Sequence, residues 1–198
     1  MRKLLIATRN KGKFLEIKKA LESLPFEFFS LDDSKKIPQD FEVEEKGKSF
    51  LENAVLKAKT FGKLSGLLTL ADDSGLEVKA LDGRPGIYSS RYAATDEERN
   101  KKLLGELKDI PKEKRDAQFR CMIAIFDPKT KKLATGEGIC KGKISEQPKG
   151  KYGFGYDPIF FLPRLRKTMA QLTSEEKNKI SHRGKALKKA RKVLERFL

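Results

Sequence analysis

Two adjacent carboxylates, Asp72 and Asp73, are the strongest candidates in this sequence for acid–base chemistry. They follow the apolar run 67–71, which predicts a buried strand, and they precede Ser74 and Gly75. Ligands in open α/β sheets bind beyond the carboxyl ends of strands. Because adjacent side chains point in different directions, one carboxylate could bind Mg²⁺ while the other orients a lysine or accepts a proton. A solvated turn, which often has this composition, is the alternative.

A polar segment near the N-terminus is a candidate phosphate-binding turn. Residues 8–13 lie between an apolar run predicted as a strand and an amphipathic helix. A helix N-terminus presents backbone N–H groups that have no partner within the helix, and Arg9, Lys11 and Lys13 add positive charge. The segment matches neither GxxxxGK[ST] nor GxGxxG. An ordinary strand–helix turn with solvated lysines is the alternative.

An acidic segment containing Glu44 and Glu45 could contribute a metal ligand. It precedes a helix that we predict from about Ser49 and that carries Lys57. A Mg²⁺ ion near phosphates needs only one or two protein carboxylates. Either glutamate together with Asp73 would provide them, although a solvated acidic loop has the same pattern.

Two segments in the C-terminal half could recognise a planar base. The run Phe154-Gly155-Tyr156-Asp157 combines aromatic faces with a glycine and a carboxylate, which could stack on a purine and accept its ring N–H. Core aromatic residues beside a β-bulge are the alternative. His182 is the only histidine, and Arg183 can donate two parallel hydrogen bonds to carbonyl oxygens. A lone histidine is more often structural, and no Cys/His set has zinc-binding spacing.

The elements that must position these residues predict an α/β fold with a mixed sheet. Strands are predicted from the apolar or alternating runs 4–7, 26–29, 67–71, 117–125, 133–144 and 159–162. Helices are predicted to start near residues 14, 49, 95, 173 and 184. The third and fourth of these starts carry capping boxes, in which Thr95 and Thr173 precede a glutamate by three residues.

The composition narrows the function classes without selecting one. The 198 residues allow one domain, or two small lobes, at about 150 residues per domain. The net charge of +16, half of it in residues 166–198, attracts polyanions such as nucleic acid, anionic membrane or phosphorylated substrates. The two cysteines are far apart, and no apolar run approaches the roughly 18 residues that a membrane span requires. We therefore expect a cytoplasmic protein without a membrane partner.

Six segments, in this order along the chain, resemble the inosine/xanthosine triphosphate pyrophosphatase family. They are Thr8–Lys13, Ser49–Ala54, Ala71–Leu76, Pro85–Tyr92, Phe154–Pro158 and Ser181–Arg183. The resemblance extends from Met1 to Leu198 and implies one nucleoside triphosphate pyrophosphatase domain over 1–198. It also implies Mg²⁺-dependent hydrolysis of ITP, dITP and XTP to the monophosphate and pyrophosphate, a homodimer, and an elongated mixed sheet flanked by helices. The fold would have two lobes with a central substrate cleft.

The resemblance also implies roles for individual residues. Asp73 would be the general base and a metal ligand, assisted by Asp72 and Lys57, with Glu44 or Glu45 as the second metal ligand. The substrate-binding residues would be Thr8, Arg9, Asn10, Lys11, Gly12, Lys13, Ser74, Phe154, Gly155, Tyr156, Asp157, Lys177, His182 and Arg183. Among them, His182 and Arg183 would donate to the 6-oxo group of the base. The sequence departs from the family pattern at Lys48-Ser49, where a Thr-Phe pair is expected, and at Arg9, which replaces a glycine.

Two other functions remain open at this point. A nucleic-acid-binding module would explain the positive charge, and its affinity would fall steeply with salt. The aromatic residues, however, lie beside glycines and carboxylates, and no stable nucleic-acid partner is expected. A pyrophosphatase acting on dTTP or UTP would share the phosphate chemistry but not the base pocket.

Overall fold

The computed structural model describes residues 1–198 and contains a seven-stranded sheet with the strand order β2-β1-β3-β4-β5-β6-β7. The strands are β1 (Arg2–Ile6), β2 (Phe26–Phe29), β3 (Leu68–Val78), β4 (Asp116–Phe126), β5 (Leu133–Ile144), β6 (Phe160–Leu162) and β7 (Lys167–Thr168). The α-helices are α1 (Lys11–Leu21), α2 (Phe50–Ser65), α3 (Asp96–Glu106), α4 (Ser174–Ile180) and α5 (His182–Leu194). β1 is parallel to β2 and β3, whereas β6 is antiparallel to β5 and β7. The predicted α/β class with a mixed sheet is confirmed.

Side-chain caps determine where four of the helices begin. Asn10 and Ser49 accept hydrogen bonds from backbone N–H groups in the first turns of α1 and α2. Thr95 and Thr173 form the predicted capping boxes of α3 and α4. Each cap satisfies an N–H group that has no partner within the helix.

α5 begins at His182, slightly before the predicted start near Gly184. None of the five helices combines the length and hydrophobicity needed to cross a membrane.

The chain forms two compact units. The first unit comprises residues 1–73, 121–138 and 183–198, and its two apolar clusters pack α1, α2 and α5 on β1, β3 and β4. The second unit comprises residues 74–120 and 139–182 and has its own apolar cluster, to which α3, β5 and β6 contribute. Each unit therefore has its own buried apolar core, which fixes the helices and strands that carry the polar side chains.

The expectation that β3 ends before Asp72 is wrong, because the strand continues through the acidic pair to Val78. Both carboxylates are buried, and they are paired with lysine and arginine side chains, which allows charged residues to lie within a strand. β1 nevertheless ends at Ile6, opposite Leu70. Asp72 and Asp73 therefore do lie beyond the carboxyl end of a parallel neighbour.

Candidate active site

A lysine between two carboxylates forms the centre of the candidate site. Lys57 on α2 donates to Asp73 Oδ1 at 3.1 Å and to Glu45 Oε1 at 2.7 Å. Burial opposes the charge of Lys57, but Asp73, Asp72 and Glu45 together raise its pKa above the ordinary value. The structure thus brings together Lys57, Asp73 and one of the two predicted glutamates. Glu44 instead pairs with Lys46 at the surface.

A buried asparagine joins the acidic segment to Asp73. Asn53, which is fully buried in α2, donates from Nδ2 to Asp73 Oδ2 at 3.3 Å and accepts from the Gly47 backbone N–H at 2.8 Å. A Cβ atom at Gly47 would lie 2.4 Å from Asn53 Oδ1, so the contact requires glycine. Asn53 therefore fixes both Asp73 and the segment that carries Glu45.

Asp72 lies in a separate set of ion pairs. Its Oδ2 is 3.2 Å from Lys13 Nζ and 3.2 Å from Arg183 Nη2, and Arg183 also pairs with Glu16 through Nη1. Asp72 and Arg183 are 1% and 2% exposed. This arrangement differs from the expectation that Arg183 faces the base, because its guanidinium binds two carboxylates of the first unit.

The two adjacent carboxylates differ in proton affinity. Burial acts to raise the pKa of Asp72, but the positive charges of Lys13, Arg183 and Lys57 outweigh burial and hold it well below the ordinary value of 3.8. Burial raises the pKa of Asp73, and Glu45 adds to the rise, while Lys57 and Lys13 only partly oppose it. Environments that separate the pKa values of neighbouring groups assign them different roles. Asp72 is a permanent anion, and Asp73 is the better proton acceptor.

The candidate phosphate-binding turn, residues 8–13, does lead into a helix, as the sequence predicts. Asn10 caps α1 by accepting from the Lys13 backbone N–H, and Thr8 Oγ1 accepts from the Asn10 N–H. Lys11 is exposed, and Gly12 is half-buried in the first turn of α1. The cap occupies the Lys13 N–H, and the turn forms the N-terminus of α1, whose dipole favours anions.

The structure corrects the role of Arg9. Its guanidinium donates to Asp32 Oδ1 at 2.9 Å and to the carbonyls of Pro38 and Phe41. Arg9 therefore holds the segment after β2 instead of adding mobile positive charge to the turn. The sequence does not reveal this, because all three partners lie more than twenty residues away.

The second unit brings together three of the predicted base-binding residues. Asp157 Oδ2 accepts from Lys177 Nζ at 2.6 Å and from the Phe154 backbone N–H at 3.0 Å. Lys177 Nζ also lies 4.5 Å from the centroid of the Phe154 ring. Asp157 and Lys177 are buried, whereas Phe154 is half-buried. A carboxylate, an ammonium group and an aromatic ring therefore lie within one small polar cluster.

Two other predicted base-binding residues are core residues in the structure. Tyr156 is 4% exposed and donates its hydroxyl hydrogen to the Ser89 carbonyl at 2.9 Å, so it does not offer a face for stacking. His182 is 5% exposed, and its ring stacks on Phe119 with a centroid distance of 4.6 Å. Ser74 is half-buried on β3 beside Asp73.

Several residues that support the site were missed in the sequence. Asn53 was visible only as part of a segment shared with the family, and no pattern pointed to Glu16 as a partner of Arg183. Asp96 and Asn100 of α3 bind Gly155, and neither belongs to a motif that would single it out in the sequence. Polar side chains in helices give no sequence signal for such contacts, since their partners are distant along the chain.

The donor set is compatible with a hard divalent cation. Asp73 and Glu45 offer only carboxylate oxygens, the ligands that Mg²⁺ prefers. No group of three or more His, Cys, Asp or Glu side chains in the structure could hold a metal ion. Because Mg²⁺ at phosphate sites is bound by one or two carboxylates plus substrate oxygens, the two carboxylates present fit that mode.

Comparisons with known proteins show which family this chain matches. A family model described as the Ham1 family matches residues 4–193. The chain is 52% identical over 190 residues to a dITP/XTP pyrophosphatase from Geobacter sulfurreducens, covering 94% of each chain. It is 49% identical over 198 residues to the dITP/XTP pyrophosphatase of Bacillus subtilis, covering 98% of each.

Solved structures with the same fold include two bacterial proteins. A HAM1 protein from Coxiella burnetii superposes with a TM-score of 0.89 at 40% identity, covering 99% of this chain and 100% of the other. The Ham1 protein of Staphylococcus aureus superposes with a TM-score of 0.86 at 40% identity, covering both chains completely. The expected α/β fold, a mixed sheet with helices, is confirmed.

Proposed function

The chain belongs to the Ham1 family, and on this premise we propose that it hydrolyses ITP, dITP and XTP to the monophosphate and pyrophosphate with Mg²⁺. It is a nucleoside triphosphate pyrophosphatase that acts on non-standard purine nucleotides. The observation that best supports the proposed chemistry is the pair Asp72–Asp73. One carboxylate is held as an anion by Lys13 and Arg183, and the other has a raised pKa beside Lys57.

The charge of the triphosphate would be balanced in the first unit. Lys13, whose side chain is 19% exposed, and Lys57 supply two positive charges. The backbone N–H groups at the start of α1 add a helix N-terminus, which favours anions. Phosphoryl transfer depends mainly on such positioning and on stabilising the negative charge.

Asp73 would act as the general base of the hydrolysis. A water oxygen attacks the α-phosphorus, and its proton passes to the Asp73 carboxylate as the new P–O bond forms. The bond from the α-phosphorus to the bridging oxygen then breaks, and pyrophosphate leaves with that oxygen. Without a bound ion, burial raises the pKa of Asp73 and thereby its proton affinity. Asn53 and Lys57 keep the carboxylate in place.

Asp73 and Glu45 are the residues that would hold Mg²⁺. When bound, the ion would supply charge stabilisation for the phosphate oxygens. Lys57 pairs with both carboxylates and so holds them close to each other before substrate binds.

Base recognition would depend on the second unit. Asp157 could accept the ring N–H of a 6-oxopurine, and Phe154 could stack on the ring. His182, which is buried and stacked on Phe119, is not needed for this contact. Adenine carries a 6-amino group and no N–H at the adjacent ring position, so its hydrogen-bonding pattern is reversed. A site with buried polar groups rejects such an analogue because its partners are left unpaired.

The proposal is tested by measuring pyrophosphate release in the presence and absence of Mg²⁺. We expect ITP, dITP and XTP to be hydrolysed much faster than ATP, GTP, dTTP or UTP. Equal rates across all seven nucleotides would overturn the substrate assignment, and activity undiminished by chelation would overturn the Mg²⁺ requirement.

We further propose a homodimer working in the cytoplasm, where nucleoside triphosphates are used. Sedimentation of the purified protein and fractionation of its native cells test these two points.

Lys13→Ala should lower kcat/KM for ITP by at least about tenfold, since it removes a charge-assisted contact to the triphosphate. Steady-state kinetics of the variant and the wild type provide the measurement. Lys18→Ala is the matched control, because Lys18 is an exposed lysine of the same helix and is not among the residues of the candidate site. An unchanged kcat/KM in Lys13→Ala would mean that Lys13 serves Asp72 alone.

Glu45→Gln should weaken the apparent affinity for Mg²⁺ by about tenfold or more, whereas Glu44→Gln should leave it unchanged. Only Glu45 faces the centre formed with Asp73, while Glu44 pairs with Lys46 at the surface. The Mg²⁺ dependence of ITP hydrolysis measures the difference. Equal effects of the two substitutions would contradict the assignment of Glu45 as the metal ligand.

A further inference from the structure

The segment that carries the base-binding residues has little conformational preference of its own. Gly150, Gly153 and Gly155 all have positive φ angles, of 88°, 78° and 62°. A Cβ atom at Gly153 would lie 2.1 Å from Asp157 Oδ2, so glycine is required there. Glycine loses more conformational freedom on folding than any other residue. A segment with three such residues is therefore held by contacts with the rest of the fold.

Two residues of α3 bind both sides of Gly155. The Gly155 backbone N–H donates to Asp96 Oδ2 at 2.7 Å, and the Gly155 carbonyl accepts from Asn100 Nδ2 at 3.0 Å. Asp96 and Asn100 lie one helical turn apart, at the start of α3. The two peptide groups that flank the Gly155 Cα are thus both anchored to one rigid element.

Both anchoring side chains are themselves constrained. Arg99 pairs with the other oxygen of Asp96 at 2.6 Å and donates to the carbonyls of Ala93 and Ala94. Asn100 is 6% exposed, and its Oδ1 has no hydrogen-bond partner in the chain. A buried amide that satisfies only one end contributes little to stability, since the unpaired end offsets the bond that is made. The main contribution of Asn100 is therefore its hydrogen bond to the Gly155 carbonyl.

We propose that Asp96 and Asn100 are positioning residues for base recognition, acting by fixing Gly155 between Phe154 and Asp157. This inference rests on the proposed function of those two residues. Phe154 directly precedes Gly155, and its N–H is bound by Asp157. Loss of either anchor would allow the glycine backbone to rotate and would displace the ring from the carboxylate. Small displacements of positioning groups have large effects on rate and selectivity.

The anchoring itself is tested on the free protein by hydrogen exchange. Asp96→Ala should lower the protection of the Gly155 amide by about tenfold or more, because its acceptor is removed. Glu97→Ala is the matched control, since Glu97 is exposed on the same turn and carries the same charge. Unchanged protection in Asp96→Ala would overturn the anchoring. This experiment needs no substrate, so it gives an answer even if the proposed activity is wrong.

The role in recognition is tested by comparing ITP with ATP. In Asn100→Ala, kcat/KM for ITP should fall about tenfold, mainly through KM, while that for ATP changes little. The Tm should move by less than about 3 °C, because the substitution also removes the unpaired oxygen. Equal losses for both nucleotides, or an unchanged ITP/ATP ratio, would overturn the recognition role. Failure of the wild type to hydrolyse ITP would instead refute the proposed function.

Discussion

Asp73→Asn is expected to reduce ITP hydrolysis by about a thousandfold or more while leaving the fold intact. The substitution keeps the shape of the side chain but removes the proton acceptor, and general bases contribute about 10²–10⁴-fold to rate. It also removes a negative charge at the position where Mg²⁺ is proposed to bind. Steady-state and single-turnover measurements of pyrophosphate release, with circular dichroism to verify the fold, test the expectation.

The asparagine variant should still bind ITP in the absence of Mg²⁺, because Lys13 and Lys57 remain. Asp40→Asn is a suitable control, since Asp40 is exposed in the first unit and is changed in the same way. A variant at Asp73 that kept a tenth of the wild-type kcat would show that another group accepts the proton.

Arg183→Ala should lower the free energy of unfolding by about 3–5 kcal/mol, the cost of breaking a buried ion pair by removing one partner. It leaves Glu16 without its buried cation and Asp72 with Lys13 as the remaining close cation. Urea denaturation measures the change. Lys188→Ala, at an exposed position of the same helix, should change the unfolding free energy by less than about 0.5 kcal/mol.

Activity measurements on Arg183 variants separate two roles. Because the guanidinium binds Asp72 and Glu16, we expect kcat/KM to fall by a similar factor for ITP, XTP, GTP and ATP. Arg183→Lys, which keeps the charge but not the planar fork, is the variant to use if the alanine protein does not fold. A selective loss for ITP with unchanged stability would instead restore the base-reading role that the family resemblance implies.

The sequence alone predicted most elements of the fold. The apolar runs predicted the first two strands, and Thr95 and Thr173 marked the starts of α3 and α4. These features are local, since periodicity and capping involve residues at most a few positions apart. The order of the shared segments identified the family, because several segments in one order are far more specific than any single motif.

The tertiary structure decided which charged groups meet. Arg183 and Asp72 are 111 residues apart in sequence, and only the packing of α5 on the sheet brings them together. Tertiary packing also places Glu45 beside Lys57 and leaves Glu44 at the surface. It likewise pairs Arg9 with Asp32 and buries Tyr156. The energy of a charge depends on its burial and on its neighbours, and neither is a property of the local sequence. Residue type thus indicated which side chains could do chemistry, and their surroundings in the fold separated the base from the permanent anion.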